Sequence, residues 1–304
     1  MKEMYHIISD GSCDLSRELV TEKNITVVPF YVSFDDENYL KENVEIGIRD
    51  FYQQMVDRKG VYPKSSLPSA QDYVEAFLPF AREGMPVICI CITTKFSGSM
   101  QSALSARSMV QESFPEAKIT VIDATVNTVL QGLYVLEAAA LRDSGMAYEA
   151  AVARLEEIRK TGRIFFTVGD MEYLKHGGRI GKVSAVAGSV LGIRPVITLK
   201  EGEIFPSGIG RGRKRTTEKT IDLLLEYLEE NGRRIDRYSI AIGYGYDMQE
   251  AAAFREHTLE VLQGKGYSIE KDRIPLYQIG ATISVHTGPY PLGFGIIEKG
   301  ILQA

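Results

Sequence analysis

Three stretches place side chains suited to chemistry at the edges of apolar runs. In "KSSLPSAQDY", Ser65 and Ser66 stand just before an expected helix. In "TTKFSGSMQSA", Thr93, Thr94, Ser97 and Ser99 fill the step from an apolar run to a helix. In "ISVHTGPYPLGFG", His286 sits in a strand-like apolar run, and three glycines and two prolines follow it. Hydroxyls and free N–H groups at the start of a helix form an anion site without lysine or arginine. The same serines also serve as plain helix caps. His286 reads either as a satisfied structural histidine or as a group presented to a ligand, with its glycines letting the backbone come close. Two enzyme readings stand beside these: a hydrolase using Ser97 with His286, or a phosphotransferase acting on small hydroxylated substrates.

Familiar catalytic motifs do not complete. "HGGRIGKVS" holds a Gly181-Lys182 pair, but His176 lies five positions before Gly181 and Val183 stands where a phosphate loop needs Ser or Thr. "GIGRGR" breaks the dinucleotide fingerprint at Arg213. The chain has no G-x-S-x-G elbow and no H-E-x-x-H pair, and its four histidines are far apart. Neither a metal nor a cofactor is expected. The run "RGRKRTTEK", Arg211 to Lys219, is the densest positive patch of an acidic chain. It reads as a solvated loop before a helix, or as a docking surface for an acidic partner or for nucleotide phosphates held by that partner. Arg179, in its glycine setting, is placed to join it. His176 reads as a surface residue.

The bulk numbers bound the class. The 304 residues are 44% hydrophobic, enough for a large core and about two domains. The net charge of −5 and pI near 5.6 argue against a general nucleic-acid coat. Three cysteines, Cys13, Cys89 and Cys91, make no disulfide framework. Cys89 and Cys91 alternate in "VICICI" and should share one face of a buried strand. "MKEMYHIISDG" lacks the apolar core of a secretory leader, and no apolar stretch reaches the ~20 residues of a membrane span. The expected compartment is the cytosol.

These side chains need elements to hold them. "YHIIS", "ITVVPFYVSF", "PVICICIT" and "KITVIDA" read as strands. They alternate with helices of 10 to 15 residues, as in a parallel sheet. "SLPSAQDYVEAF" opens with Ser69 three residues before Asp72, a capping box. Near residue 160 the pattern changes. "RIFFTVG" is a strand, and "MEYLKHGGRIGKVSAVAGSVLG" a short helix, a glycine loop and another helix. "RPVITLKEGEIFPSG" is a hairpin turning at Glu201-Gly202, and "TIDLLLEYLEENG" an amphipathic helix. "YSIAIGYG", "IPLYQIG" and "GFGIIEKG" supply mixed strands. The expected architecture is α/β in two domains. Residues 1–160 form an N-terminal α/β/α domain with a parallel sheet, and 161–304 a C-terminal α/β domain with a mixed sheet. A ligand cleft lies between them.

Six pieces in order, "ISDGSCDL", "KSSLPS", "FSGSMQSA", "LKHGGRIG", "GIRPVI" and "IGATISVHTGPYPLG", resemble the DegV family of bacterial fatty-acid-binding proteins. Some of these serve as the carrier subunit of a fatty acid kinase. The resemblance spans about residues 5 to 298. It implies a two-domain α/β fold with a long-chain fatty acid, such as palmitate, buried between the domains. The chain would then be a non-catalytic carrier. A separate kinase subunit would be its partner, forming acyl phosphate for phospholipid metabolism. The family's carboxylate-binding positions fall on Ser66, with Ser65 beside it, and on Ser97. The family histidine falls on His286, and the functional arginines on Arg179 and Arg211. Three positions depart from the family: Ser65 and Ser99 stand where threonine is usual, and Tyr290 replaces the last glycine of Gly-Pro-Gly. If that glycine serves a partner's close approach, Tyr290 bears on the kinase-coupled role and not on lipid binding. A lipid-sensing regulator is a further reading.

Overall fold

The computed structural model describes residues 5–186 and 193–301. The apolar runs of the first half form β1 (His6–Asp10), β2 (Ile25–Val28), β6 (Val87–Cys91) and β7 (Ile119–Asp123), all parallel in the order β2-β1-β6-β7. Alternation along these strands sorts the core into two faces. Ile8, Val87, Cys89 and Cys91 pack on α3 (Ala70–Glu83) and α4 (Ser99–Ser113). Ile7, Ile88 and Ile90 face α5 (Thr128–Asp143) and α6 (Tyr148–Ile158). The capping box forms: Ser69 Oγ accepts from the Asp72 amide, and the Asp72 carboxylate accepts from the Ser69 amide. A short α1 (Arg17–Glu22) joins β1 to β2.

A separate small antiparallel sheet sits beside this layer: β3 (Tyr31–Ser33), β4 (Leu40–Lys41) and β5 (Lys64–Ser66), with α2 (Ile48–Asp57) packed below. The run "ITVVPFYVSF", expected as one strand, is therefore two. Pro29 has no N–H to continue the ladder, and the chain breaks there and leaves the parallel sheet.

The second half builds a six-stranded mixed sheet from β8 (Arg163–Thr167), β9 (Ile193–Lys200), β10 (Glu203–Arg211), β11 (Tyr238–Tyr244), β12 (Leu276–Gln278) and β13 (Leu292–Glu298). Its order is β10-β9-β8-β13-β11-β12, with only the β11–β12 pairing parallel. The β9–β10 turn has φ of 53° at Glu201 and 84° at Gly202, the left-handed pair a two-residue hairpin needs. The outer face of this sheet packs on α8 (Arg213–Glu230) and α9 (Met248–Gly264). On α8, Ile221, Leu224, Leu225 and Leu228 are all buried. The remaining helices are α7 (Glu172–His176) and α10 (Ala281–Thr287). Of the second helix expected in "GKVSAVAGSVLG", Gly181–Val186 is a 3-10 turn, and residues 187–192, including Gly192 of "GIRPVI", lie outside the described residues.

The two sheets share α5. This helix is buried nearly all round, as expected for a helix with a sheet on each side. One apolar cluster runs from Ile7 and Ile88 through Leu133 and Tyr134 to Ile197 and Ile297.

Candidate functional site

The carboxyl ends of β1 and β6 meet where the strand order reverses, the usual ligand position in an open parallel sheet. A cavity of about 460 Å³ lies there, closed on its far side by the mixed sheet. Its interior wall is apolar, with Ile92, Val129, Leu199, Leu292 and Phe294 buried. The lining residues that reach solvent, Ser66, Leu67, Thr94, Lys95, Gly98 and Arg179, mark its mouth. Ser65, Ser97 and His286 also line it. Five of the six residues named from the sequence thus border one space. Arg211, the last residue of β10, is exposed and is not among them.

Ser65 and Ser66 do not precede a helix. They belong to β5, where Ser65 pairs with Val32 and Ser66 with Tyr31, and α3 starts only at Ala70. Ser97 precedes α4 as expected. Its Oγ accepts from the Ser99 amide at 3.2 Å, which leaves the Ser97 hydroxyl proton free to donate. Capping and ligand binding are compatible in this one side chain.

The loop that carries Ser97 is gripped from below by Asp10, at the end of β1. One Asp10 oxygen accepts from the Ile92 amide at 2.9 Å and the Ser99 hydroxyl at 2.8 Å, holding both ends of the loop. The other accepts from Gln131 at 2.8 Å and Ser12 at 3.0 Å. Burial still pushes the Asp10 carboxyl above its usual range, because desolvation outweighs the hydrogen bonds. Sequence reading passed over Asp10. The available signal was an acid at the carboxyl end of a parallel strand.

His286 is helical, not extended. It lies in α10, although "ATISVHT" is rich in β-branched residues. Tertiary contacts override that preference. The Glu42 carboxyl accepts from the Ala281 amide at 2.5 Å and from the Thr282 amide at 3.3 Å and hydroxyl at 2.6 Å, satisfying the first free amides of the helix. Gly288, at φ 75°, ends the helix where the Tyr173 ring leaves no room for a Cβ. His286 Nε2 lies 3.3 Å from Ser65 Oγ. Its Nδ1 lies against Gly177, where an added Cβ would collide with it. The Gly177 backbone favours the protonated ring, but Nδ1 has no hydrogen-bond partner of good geometry. Burial, helped by the nearby Arg179 charge, lowers His286 to about 4, so the ring is neutral at neutral pH.

Arg179 closes the arrangement. Its Nε and Nη2 donate to the Phe96 carbonyl at 3.2 and 2.9 Å, and its Nη1 to the Gly177 carbonyl at 2.7 Å. Both acceptors are uncharged, so the cation at the mouth is oriented without being neutralised. Ser97 follows Phe96 directly, so Arg179 also steadies the serine loop. No carboxylate orients His286 Nδ1, and its serine contact is Ser65 and not Ser97. The hydrolase arrangement of Ser97 with His286 is not assembled. In "RGRKRTTEK" only Arg211 and Gly212 precede a helix. Arg213 begins α8 and forms a bidentate ion pair with Glu250 at 2.6 and 2.8 Å.

Comparison with known proteins adds to this geometry. The sequence model of the DegV family, described as "Uncharacterised protein, DegV family", matches residues 4–299. A DegV domain-containing protein of Clostridium acetobutylicum is 30% identical over 287 residues, covering 94% of this chain and 95% of the relative. A crystal structure of a stearic acid-binding protein from Eubacterium ventriosum is similar with a TM-score of 0.91 at 42% identity, over 98% of this chain and 99% of that one. A fatty-acid-binding DegV family protein from Thermus thermophilus is similar with a TM-score of 0.85 at 31% identity, over 97% and 99%.

Proposed function

The chain belongs to the DegV family, and from that premise we propose that it binds a long-chain fatty acid in the cavity between its two halves, 1–160 and 161–304. The carboxylate sits at the mouth on Ser65, Ser66, Ser97 and His286, and the tail lies along the apolar wall. One observation carries this reading: one cavity has hydroxyls, Lys95 and Arg179 at its mouth, a neutral imidazole just within, and aliphatic and phenyl groups inside. A tail of about 16 carbons contributes at most on the order of 10 kcal/mol, at about 0.8 kcal/mol per buried CH₂. A carboxylate leaving water costs several kcal/mol unless hydrogen-bonded, and donors such as the Ser97 O–H offset that cost. The solved relatives described as fatty-acid-binding support the same ligand class.

The bound carboxylate is then presented to a separate kinase subunit for acyl-phosphate formation, the chain itself being a non-catalytic cytoplasmic carrier. Hydroxyl donors support this step. They order a carboxylate yet leave it more nucleophilic than a buried ammonium partner would. Arg179 faces the incoming phosphate, and the exposed Arg211 contacts the partner. Mass spectrometry of an organic extract of protein purified without lipid stripping tests the ligand. Near-stoichiometric fatty acid is expected, and a clean, empty protein overturns the reading.

A further inference from the structure

A second groove, of about 540 Å³, lies behind the first cavity. The wall between them is thin. On α7, Tyr173 lines the groove while Leu174 lines the cavity, and past α10 the groove is bordered by Pro289 and Tyr290. The groove takes three basic and three acidic side chains, and each acid has a protein partner. Both Glu250 oxygens accept from Arg213, Asp247 Oδ1 caps α9 through the Glu250 amide at 2.9 Å, and Asp170 Oδ1 accepts from the Glu172 amide at 2.9 Å.

The basic groups are not committed in the same way. Lys59 and Arg194 have no ion pair or hydrogen bond among the described residues. Arg213 spends Nε and Nη2 on Glu250, and its buried Nη1 has no partner among the described residues. Arg213 is also the first residue of an 18-residue helix, and Gly212 at its N-cap offers no side-chain acceptor to the first-turn amides. Tyr62, Tyr173 and Tyr290 add aromatic surface.

We propose that this groove is a binding site for a small phosphorylated molecule, its phosphate held by Arg194, Arg213 and Lys59 and its remaining part lying on the tyrosines. Two unpaired cations and a third shared with Glu250, from three separate parts of the chain, suit a group with three oxygens and a charge of about −1.5 to −2 better than a singly charged carboxylate. The site is distinct from the fatty-acid cavity and does not depend on which ligand fills that cavity.

Titration calorimetry on the full chain, with inorganic phosphate, phenyl phosphate and benzoate as probes, tests the site. Phenyl phosphate should bind saturably, more tightly than inorganic phosphate, and benzoate weakest. Arg194→Ala should weaken phenyl phosphate at least ~10-fold, the loss of one charge-assisted contact. Arg194 has no partner among the described residues to strand, so its variant should melt like the parent, and Tyr290→Ala should narrow the gap between phenyl and inorganic phosphate. Absence of saturable binding overturns the proposal. So does benzoate binding as tightly as phenyl phosphate, or binding that survives Arg194→Ala and disappears in Arg179→Ala, which would put the anion at the mouth of the first cavity.

Discussion

Ser97 answers to two partners at once, the Ser99 amide and any ligand above it. Removing its hydroxyl together with that of Ser66 should cost fatty-acid affinity roughly 3–5 kcal/mol, two lost donors to a charged group. Displacement of a fluorescent fatty acid measures this, and unchanged affinity in Ser66→Ala/Ser97→Ala places the head group elsewhere. His286 should divide differently between binding and transfer. On the proposed reading the tail supplies most of the affinity, so His286→Ala is expected to keep its lipid and to lose most acyl-phosphate formation with the proposed kinase partner and ATP. Ligand content and acyl-phosphate yield, read from one preparation, separate the roles, and an empty variant makes the histidine a binding residue. The candidate serines and the histidine were legible from their types at the ends of apolar runs. What holds them was not. Asp10 and Glu42 act across long sequence separations, and nothing local marks a carboxylate that grips a loop more than eighty positions away.

Elements were legible where period and punctuation agreed. The parallel strands, the Ser69 cap and the Glu201-Gly202 turn all carry local signals. They failed where a distant group decided, as in α10, whose β-branched sequence is made helical by an acid from beyond β4. That acid creates a pH dependence. Glu42 and Asp14 lie together beside Gly280, and burial raises both carboxyls, Glu42 to about 7, with the Glu42 charge adding to the rise at Asp14 and the Asp10 charge to that at Glu42. A carboxyl raised on folding binds more protons in the native state. Its stability is therefore present near pH 4.5 and is lost as pH rises toward 7. Melting curves across that range should fall for the parent relative to Glu42→Gln, and parallel curves would show that Glu42 titrates normally. The β9–β10 turn gives a second test. The Thr93 hydroxyl donates to the Gly202 carbonyl at 3.4 Å, and a Cβ on Gly202 would meet that hydroxyl at 2.6 Å, at a φ of 84°. Gly202→Ala should cost about 1 kcal/mol or more and loosen this tip from the Thr93–Lys95 loop. Faster release of a bound fluorescent fatty acid is the expected readout, and an unchanged release rate shows that the tip does not retain the ligand.

At the scale of the whole molecule, α5 and the cavity belong to both sheets, so a lipid bound as proposed would complete a shared interior. Ligand that binds only the folded chain should add about 2.7 kcal/mol at a hundredfold excess over Kd. Delipidated protein is thus expected to melt several degrees below loaded protein, and equal melting would mean the lipid lies outside this interior. Strand order has a further consequence, for how the protein is made. β13 lies in the middle of the mixed sheet, between β8 and β11, yet it is the last of the sheet's strands to leave the ribosome. Until it arrives, β8 and β11 each present an open edge toward the other. The parallel sheet can form early, as N-terminal units do during synthesis. The cavity cannot, because Leu292, Gly293 and Phe294 are part of its wall. A nascent chain halted before residue 292 is therefore expected to be half folded and to lack part of the cavity wall, so the proposed lipid can be taken up only once β13 has been made.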